Sequence, residues 1–332
     1  MTTQTARARA LSRRVALALA GALPFAARGA KAQEWPTRPL RIIVPYTPGG
    51  TTDIATRLVA EPLSRVLGQP VVVENRPGAN SIVGAAAAAS SPADGYTLVM
   101  VLPAHAANAT LQAGKMPFDA LASFAPVSLV VQAPLVLAGS KHVPAENLRG
   151  FMDHIRARPG RVNYGSSGIG ATAHLAMEQL QLRTGLRMEH VPYRGTQPAL
   201  QDLMAGNIGL MFDTYSTLKP QFEAGTVRPL GIATATRPDF APDLPTVIEA
   251  GLPDFVASSW CMLLAPARTP DAITERIARE VHAIVREPTM TRRLQDLGFV
   301  VEGRPPAATG AFLRAEVERW GEVIRTANVR VE

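Results

Sequence analysis

The stretch IIVPYTPGGTTDIATRLV, residues 42–59, contains the strongest indication of the fold. A short run of β-branched residues stops at Pro-Gly-Gly, and after a cluster of threonines and one aspartate the apolar residues return at helical spacing. A strand that turns tightly into a helix leaves the first backbone N–H groups of that helix without intrahelical partners. Such a helix end favours an anion. The stretch therefore predicts a strand–turn–helix unit whose turn holds an anion.

Strand-like and helical segments alternate along the rest of the chain. We expect strands at LRIIVP (40–45), PVVVE (70–74), TLVMV (97–101), PVSLVV (126–131), RVNYG (161–165), LRMEHVPY (186–193), IGLMFD (208–213) and VRPLGIAT (227–234). Helices are expected at 80–90, 172–185, 196–206, 270–287 and 306–327. In the helix after the first strand, six apolar residues are expected on one buried face: Ile54, Leu58, Val59, Leu63, Val66 and Leu67. This alternation predicts an α/β fold with a largely parallel sheet.

The order of strand, glycine-rich turn and helix occurs a second time, in NYGSSGIGATAHLAMEQL, residues 163–180. With 332 residues the chain is long for one domain, so we expect two α/β lobes. Lobe one is predicted to comprise residues 33–132 and 260–332, and lobe two residues 133–259. The chain is expected to cross between the lobes near 127–131 and 258–264, because these apolar segments lie between the two α/β sets.

Residues 1–32 are typical of a cleaved export signal. An uncharged run at 15–27 follows Arg13-Arg14, and Ala30-Lys31-Ala32 supplies a small-x-small cleavage pattern before Gln33. The run is shorter than the roughly 20 residues that a membrane-spanning helix needs. The twin arginines match a twin-arginine signal in part, which leaves the export route open. We therefore expect a periplasmic protein.

The charge and cysteine content exclude some classes of protein. The chain has 34 Lys and Arg against 27 Asp and Glu, a net of +7, but six of the basic residues lie in 1–32. Without that segment 28 basic and 27 acidic residues remain, a net of +1, so the mature chain gives no indication of nucleic-acid binding. The single cysteine, Cys261, lies in the apolar run SSWCMLLAP, where we expect it in the core. No intrachain disulfide can form, and stability must come from a large core.

Known catalytic and cofactor motifs are absent from the sequence. Neither glycine-rich turn is followed by the GKS or GKT of a phosphate-binding P-loop, and GSSGIG lacks the spacing of a dinucleotide fingerprint. The sequence has no G-x-S-x-G nucleophile elbow, HExxH or paired CxxC. The six histidines are scattered without ligand spacing. For Asp53 we favour a role at the helix dipole over that of a general base, and for His174 and His190 a structural role over ligand contact. Binding without chemistry is the favoured function.

Longer segments resemble a known family of binding proteins. These are WPTRPLRIIVPYTPGGTTDIATR, GQPVVVENRPGANSIVGA, SPADGYTLVM, NYGSSGIGATAHLA, HVPYRGTQPALQDLMAGNIGLMFD, RPLGIATATR and LPTVIEAGLPDF. They are similar to Bug-type, TctC-like extracytoplasmic solute receptors of tripartite tricarboxylate transport systems. The resemblance runs in unbroken order from about residue 35 to the C-terminus, and it implies a type II periplasmic-binding-protein fold, with two α/β lobes joined by crossing strands and a ligand cleft between them. The chain departs from the family at YTPGG, where FPPGG is commoner, and at Asn80 and Ser81, where a further glycine is usual.

The resemblance implies that backbone and hydroxyl groups of the loops after the first strand of each lobe hold a ligand carboxylate, often through water. No metal and no cofactor are implied. The expected ligand-binding residues are Tyr46, Thr47, Pro48, Gly49, Gly50, Thr51, Thr52, Asp53, Ala104, His105, Ser166, Ser167, Gly168, Gly170, Thr172, His174, Tyr193 and Asp213. Specificity is expected in the distal wall at 102–108 and 214–217. Valine at Gly50 or Gly168 is expected to weaken binding, Gly50 because its φ could be one that only glycine tolerates.

The favoured function is thus a monomeric periplasmic receptor that delivers a small organic acid to the permease subunits of a membrane transporter. Two alternatives remain open from sequence: a ligand-sensing partner of a membrane sensor kinase, and an exported enzyme on the same fold. Turnover assays would separate the enzyme from the receptor, and neighbouring permease genes would separate the receptor from the sensor. Arg76 and Arg194 are the arginines nearest to the two loops, and surface or structural salt bridges are expected for both.

Overall fold

The computed structural model describes residues 35–331. From Arg38 onward these residues form one compact unit, and residues 35–37 belong to a separate one. The expected export signal and its cleavage site before Gln33 lie outside the described residues. Within 35–331, no helix has both the length and the apolar character that crossing a bilayer requires.

Strands and helices alternate as the sequence predicts. The strands are β1 (Leu40–Val44), β2 (Val71–Asn75), β3 (Thr97–Val101), β4 (Phe124–Ser140), β5 (Asn163–Ser166), β6 (Glu189–Pro192), β7 (Leu210–Thr214), β8 (Val227–Ile232), β9 (Ser258–Pro266) and β10 (Val300–Val301). The helices are α1 (Thr51–Leu67), α2 (Ile82–Ala89), α3 (Ala104–Leu111), α4 (Leu148–Arg156), α5 (Thr172–Thr184), α6 (Thr196–Ala205), α7 (Tyr215–Glu223), α8 (Asp271–Arg286), α9 (Pro288–Asp296) and α10 (Pro306–Thr326).

A single mixed sheet runs through the unit in the order β2-β1-β3-β9-β4-β7-β5-β6, and β8 and β10 also pair with β4. Pairing is parallel between β1 and its neighbours β2 and β3, and between β5 and its neighbours β6 and β7. The pairs that involve β4 or β9 are all antiparallel. The predicted parallel pairing therefore holds inside each half of the sheet, and the strands that join the halves run antiparallel.

The two halves are joined through the long strand β4 and its partner β9. The first part of β4 pairs with β9 as far as Pro134, opposite Ser258, and the second part pairs with β7 from Leu135, opposite Thr214. One strand thus contributes to both halves of the sheet, and the result is two α/β lobes joined by crossing strands. The residues at which each lobe begins and ends, 33–132 with 260–332 and 133–259, stay a prediction.

Burial differs from the predicted pattern in helix α1. Ile54 and Val66 are 39% and 51% exposed, so their assignment to the buried face is wrong. The face against the sheet instead includes Thr52, Ala55 and Thr56, with Val59 and Leu63 further along. Small and hydroxylated side chains let the start of the helix approach the sheet closely. The spacing of apolar residues in the sequence does not show that such side chains are buried. Cys261 is buried as expected, and burial raises the pKa of its thiol to about 12.

Candidate functional site

The first glycine-rich turn is an exposed loop between β1 and α1. Gly49 has φ +80, whereas Gly50, the residue that caps α1, has φ −78 and an extended conformation. The expectation that Gly50 needs a glycine-only φ is therefore wrong, and Gly49 is the residue that does. No side chain caps the N-terminus of α1. The terminal N–H groups that would attract an anion are thus not covered by a side-chain cap.

Asp53 fixes the shape of this loop from within the first turn of α1. Its Oδ2 accepts the Gly49 N–H at 3.0 Å and Arg57 Nε at 3.0 Å, while Oδ1 accepts Asn75 Nδ2 at 2.9 Å. Burial opposes ionisation of Asp53, but these three hydrogen bonds outweigh it and lower the pKa of the carboxyl. A carboxylate with both oxygens engaged is a loop anchor, which agrees with the favoured structural role. The Asn75 amide also donates to the Tyr46 carbonyl at 3.1 Å.

The second turn, residues 167–171, connects β5 to α5 and also contains positive-φ glycines. Gly168 has φ +135 and Gly170 has φ +77. The buried Ser166 hydroxyl lies 2.7 Å from His190 Nε2 and donates to the Gly168 carbonyl at 3.1 Å. The Gly170 N–H donates to His174 Nδ1 at 3.0 Å. The side chains around this turn therefore hold its backbone in place, as Asp53 does in the first turn.

Two stacked histidines lie beneath the second turn. The rings of His174 and His190 are 4.0 Å apart at 12°, and Tyr164 stacks on His190 at 4.8 Å. Burial lowers the pKa of His174 to about 3 and that of His190 to about 4, so both rings are neutral near pH 7. Glu178, which accepts a hydrogen bond from the Tyr164 hydroxyl, has its pKa raised by burial. The two neutral rings and the residues bonded to them form a hydrogen-bonded support for the turn.

Tyr193 and Asp213 lie at the ends of β6 and β7, the two strands that flank β5. The Tyr193 N–H donates to the Ser166 carbonyl at 3.0 Å, which puts Tyr193 beside the second turn. Asp213 accepts Thr196 Oγ1 and the Thr214 N–H, each at 2.7 Å, and burial raises the pKa of its carboxyl. Because β5 is parallel to β6 and β7, these residues and the second turn share one edge of the sheet. Ligands of open α/β sheets bind at this edge.

His105 lies in the core of lobe one. Its ring is 1% exposed and packs between Phe118 and Phe124, and Nε2 lies 2.9 Å from the Ala120 carbonyl. Burial lowers the pKa of His105 to about 4. The ring holds the segment after α3 in place, and its neighbour Ala104 is also buried.

The second turn contacts lobe one at α3. A Cβ on Gly170 would lie 2.6 Å from Leu111 Cδ1 and 4.0 Å from Asn80 Nδ2. Asn80 and Asn108 exchange two hydrogen bonds, at 3.2 and 2.8 Å. Sequence reasoning included Asn108 in the distal wall at 102–108, but it assigned neither Asn80 nor Leu111 to the site. A signal was present, because Asn80 replaces a usual glycine, and Ala79, Asn80 and Ser81 have φ of 45, 49 and 80.

Exposure divides the eighteen predicted ligand-binding residues into two groups. Exposed or partly exposed are Tyr46, Thr47, Pro48, Gly49, Gly50, Thr51, Ser167, Gly168, Thr172 and Tyr193. Buried are Thr52, Asp53, Ala104, His105, Ser166, Gly170, His174 and Asp213. The first group can reach a ligand directly, and the second group is suited to hold the loops. The role of each residue in ligand binding stays a prediction.

Cationic side chains are absent from both turns, 46–53 and 166–172. Arg76 pairs with Glu74, as expected. Arg194 is exposed and, within 35–331, makes no hydrogen bond or ion pair, contrary to the expected salt bridge. The same residues contain no group of three or more His, Cys, Asp or Glu that could hold a metal. The two turns therefore offer backbone N–H and hydroxyl donors with little charge, an arrangement suited to a small anion.

Comparison with known proteins agrees with this geometry. The sequence profile described as "Tripartite tricarboxylate transporter family receptor" matches residues 55–329. The chain belongs to this receptor family. Protein BugT of Bordetella pertussis is 34% identical over 306 residues, which cover 91% of this chain and 93% of BugT.

Solved members of the receptor family have the same fold. One such structure is the R. palustris protein Rpa4515 with adipate, which is 36% identical to this chain with a TM-score of 0.79. The match covers 90% of this chain and 99% of Rpa4515. MatC from Rhodopseudomonas palustris, with bound malate, is 31% identical with a TM-score of 0.74, and covers 87% of this chain and 100% of its own. The type II periplasmic-binding-protein fold predicted from sequence is thus confirmed, and these relatives are solute-binding receptors.

Proposed function

We propose that this chain is a periplasmic receptor, monomeric, that holds a small organic carboxylate between its lobes and delivers it to the permease subunits of a tripartite tricarboxylate transporter. The observation that carries the proposal is the pair of glycine-rich helix starts, one in each lobe, each fixed by buried side chains. A helix N-terminus favours an anion by roughly 0.3–1 kcal/mol, and each charge-assisted hydrogen bond adds about 1.5–3 kcal/mol. A few such bonds suffice for micromolar binding.

The same contacts argue for binding without catalysis. An exported enzyme would need a free base beside a nucleophile. The Ser166 hydroxyl lies 2.7 Å from His190 Nε2, but it is fully buried and donates to the Gly168 carbonyl, so it is not a free nucleophile. Asp53 and His174 accept the Gly49 and Gly170 N–H groups, and Asp53 also accepts from Arg57 and Asn75, so neither is a free base. The adipate and malate of two solved relatives support a carboxylate as the ligand of this chain.

A thermal-shift screen of mono-, di- and aromatic carboxylates tests the proposal. A ligand at 100 times its dissociation constant is expected to stabilise the mature protein by about 2.7 kcal/mol. Failure of every carboxylate to raise the midpoint of unfolding would contradict carboxylate binding. Chemical conversion of the ligand that does bind, detected after prolonged incubation, would favour an enzyme instead.

A valine at Gly49 or at Gly168 is expected to weaken the binding of the carboxylate ligand by at least tenfold, which is about 1.4 kcal/mol of binding free energy. Both glycines have positive φ, which a β-branched residue adopts only under strain, so the N–H groups of the turn would shift. The matched control is Gly50→Ala, because Gly50 has φ −78 and a Cβ added there would lie at an ordinary 3.6 Å from the Thr47 carbonyl oxygen. Calorimetric titration measures all three. Unchanged affinity in both valine variants would mean that the anion binds elsewhere.

A further inference from the structure

A second groove between the lobes lies away from the two glycine-rich turns. It has a volume of about 470 Å³, within the range of roughly 300–1,000 Å³ for small-molecule sites. The crossing strands contribute Gln132 and Ser258, lobe two contributes 233–240, and lobe one contributes residues between Arg286 and Val301. None of the eighteen predicted ligand-binding residues lines this groove. It is therefore a separate cavity, and its ligand chemistry can be derived from its own walls.

The two walls of the groove carry uncommitted charges of opposite sign. On the lobe-one wall, Arg286 has a single hydrogen bond within the described residues, from Nη2 to the Glu302 carbonyl at 3.2 Å. On the lobe-two wall, Asp239 is exposed and forms no ion pair within 35–331. The other arginine in the lining, Arg237, is engaged with Glu249 and with the Pro242 carbonyl. Among the described residues, the groove thus offers an occupant the guanidinium of Arg286, which is in no ion pair, and the unpaired carboxylate of Asp239.

A buried hydroxyl provides an independent observation. Thr234 Oγ1, in the lining, is shielded from solvent and has no hydrogen-bond partner. A buried polar atom without a partner costs roughly 1–3 kcal/mol, and rotation of the Thr234 side chain toward the groove would let a ligand bond the hydroxyl and recover part of that cost. Beside it the lining is apolar, with Phe240 on one wall and Phe299 and Val301 on the other. An occupant therefore needs an apolar part as well as polar groups.

We infer that this groove binds a zwitterionic small molecule of the α-amino-acid type with an apolar side chain. Arg286 receives its carboxylate, Asp239 its ammonium group, and the Thr234 hydroxyl completes the hydrogen bonds. The side chain lies against Phe240 and Phe299. A simple carboxylate would be repelled by the Asp239 carboxylate. A simple amine would be repelled by the Arg286 guanidinium. The pair of opposite charges therefore favours a zwitterion over either singly charged ligand.

The test is calorimetric titration of the mature protein with L-leucine up to about 10 mM. Two probes of matched shape are titrated beside it: 4-methylpentanoate, which lacks the ammonium group, and 3-methylbutylamine, which lacks the carboxylate. Leucine is expected to bind at least tenfold more tightly than either. Arg286→Gln and Asp239→Asn are each expected to weaken leucine binding at least tenfold. Thr234→Val is expected to weaken it severalfold. Arg293→Gln, in α9 but outside the lining, is expected to bind leucine normally.

The cleft variant Gly168→Val separates this inference from the proposed function. Leucine binding that persists in Gly168→Val and is lost in Arg286→Gln supports the groove, whatever the carboxylate screen finds. Leucine binding that is lost in Gly168→Val and kept in Arg286→Gln belongs to the cleft and overturns the inference. So does the absence of leucine binding, or equal binding of leucine and 4-methylpentanoate.

Discussion

Glu316→Ala is expected to lower the free energy of unfolding by about 3–5 kcal/mol. The Glu316 carboxylate in α10 is buried, and its Oε2 accepts the indole N–H of Trp260 at 2.7 Å and that of Trp320 at 3.0 Å. Its Oε1 pairs with Arg319 Nη2 at 2.7 Å. Alanine would leave two buried indole donors without a partner and would remove the carboxylate that pairs with the partly exposed Arg319 guanidinium. Trp260 belongs to the crossing strand β9, so the loss would loosen the join between the lobes.

The control for this substitution is Glu318→Ala, two residues along the same helix. Glu318 is exposed and forms no hydrogen bond or ion pair within the described residues, so its removal is expected to change stability by less than about 0.5 kcal/mol. Urea unfolding followed by tryptophan fluorescence measures both variants. Equal midpoints for the two would mean that the carboxylate does not hold the indoles and the arginine in solution.

The fold could be predicted from the sequence because its main signals are local. Strand β1, the turn after it and helix α1 are encoded in one continuous stretch, 42–59, and the same order recurs at 163–180. The prediction failed where packing against other elements decides the outcome. Helix α3, with the sequence AHAANATL, has no apolar period, and it forms because α10 and β-strand neighbours cover it.

The sequence predicted where the two backbone turns of the candidate site lie, but not the side chains that hold them. Glycines and hydroxyls after two strands indicated the two turns, but not which glycine carries the positive φ, since φ depends on how the turn is anchored. The side chains that hold the turns bond to residues distant in sequence. Asn75 donates a hydrogen bond to Asp53, and His190 lies within hydrogen-bond distance of Ser166. The asparagine pair Asn80 and Asn108 is a similar long-range contact. Such partners are set by the tertiary fold, and a single sequence does not reveal them.

Acidification is expected to destabilise the protein from about pH 6.5 downward through its buried histidines. His105, His174 and His190 have pKa values lowered by burial from 6.5 to about 4, 3 and 4. Below pH 6.5 the unfolded chain binds protons that the folded chain does not, so stability falls as the pH falls toward these lowered values. Each histidine contributes up to about 1.4 kcal/mol per pH unit in that window. Glu178 and Asp213, whose pKa values burial raises, act in the opposite sense, because just above their ordinary pKa values the folded chain binds protons that the unfolded chain does not.

The double variant His174→Asn with His190→Gln isolates the pair beneath the second turn. The asparagine oxygen can accept the Gly170 N–H in place of Nδ1, and the glutamine amide can bond the Ser166 hydroxyl in place of Nε2, but neither titrates. Between about pH 6.5 and 4.5, the slope of unfolding free energy against pH that His105, His174 and His190 contribute together is expected to fall to about one third, because only His105 of these three remains. His154, whose pKa is also lowered by burial and by Arg158, is present in both proteins and adds the same amount to each slope. Replacing the exposed His142 with glutamine should leave that slope unchanged. Urea titrations at several pH values give the slopes, and a double variant as sensitive to acid as the parent would show that other groups carry the effect.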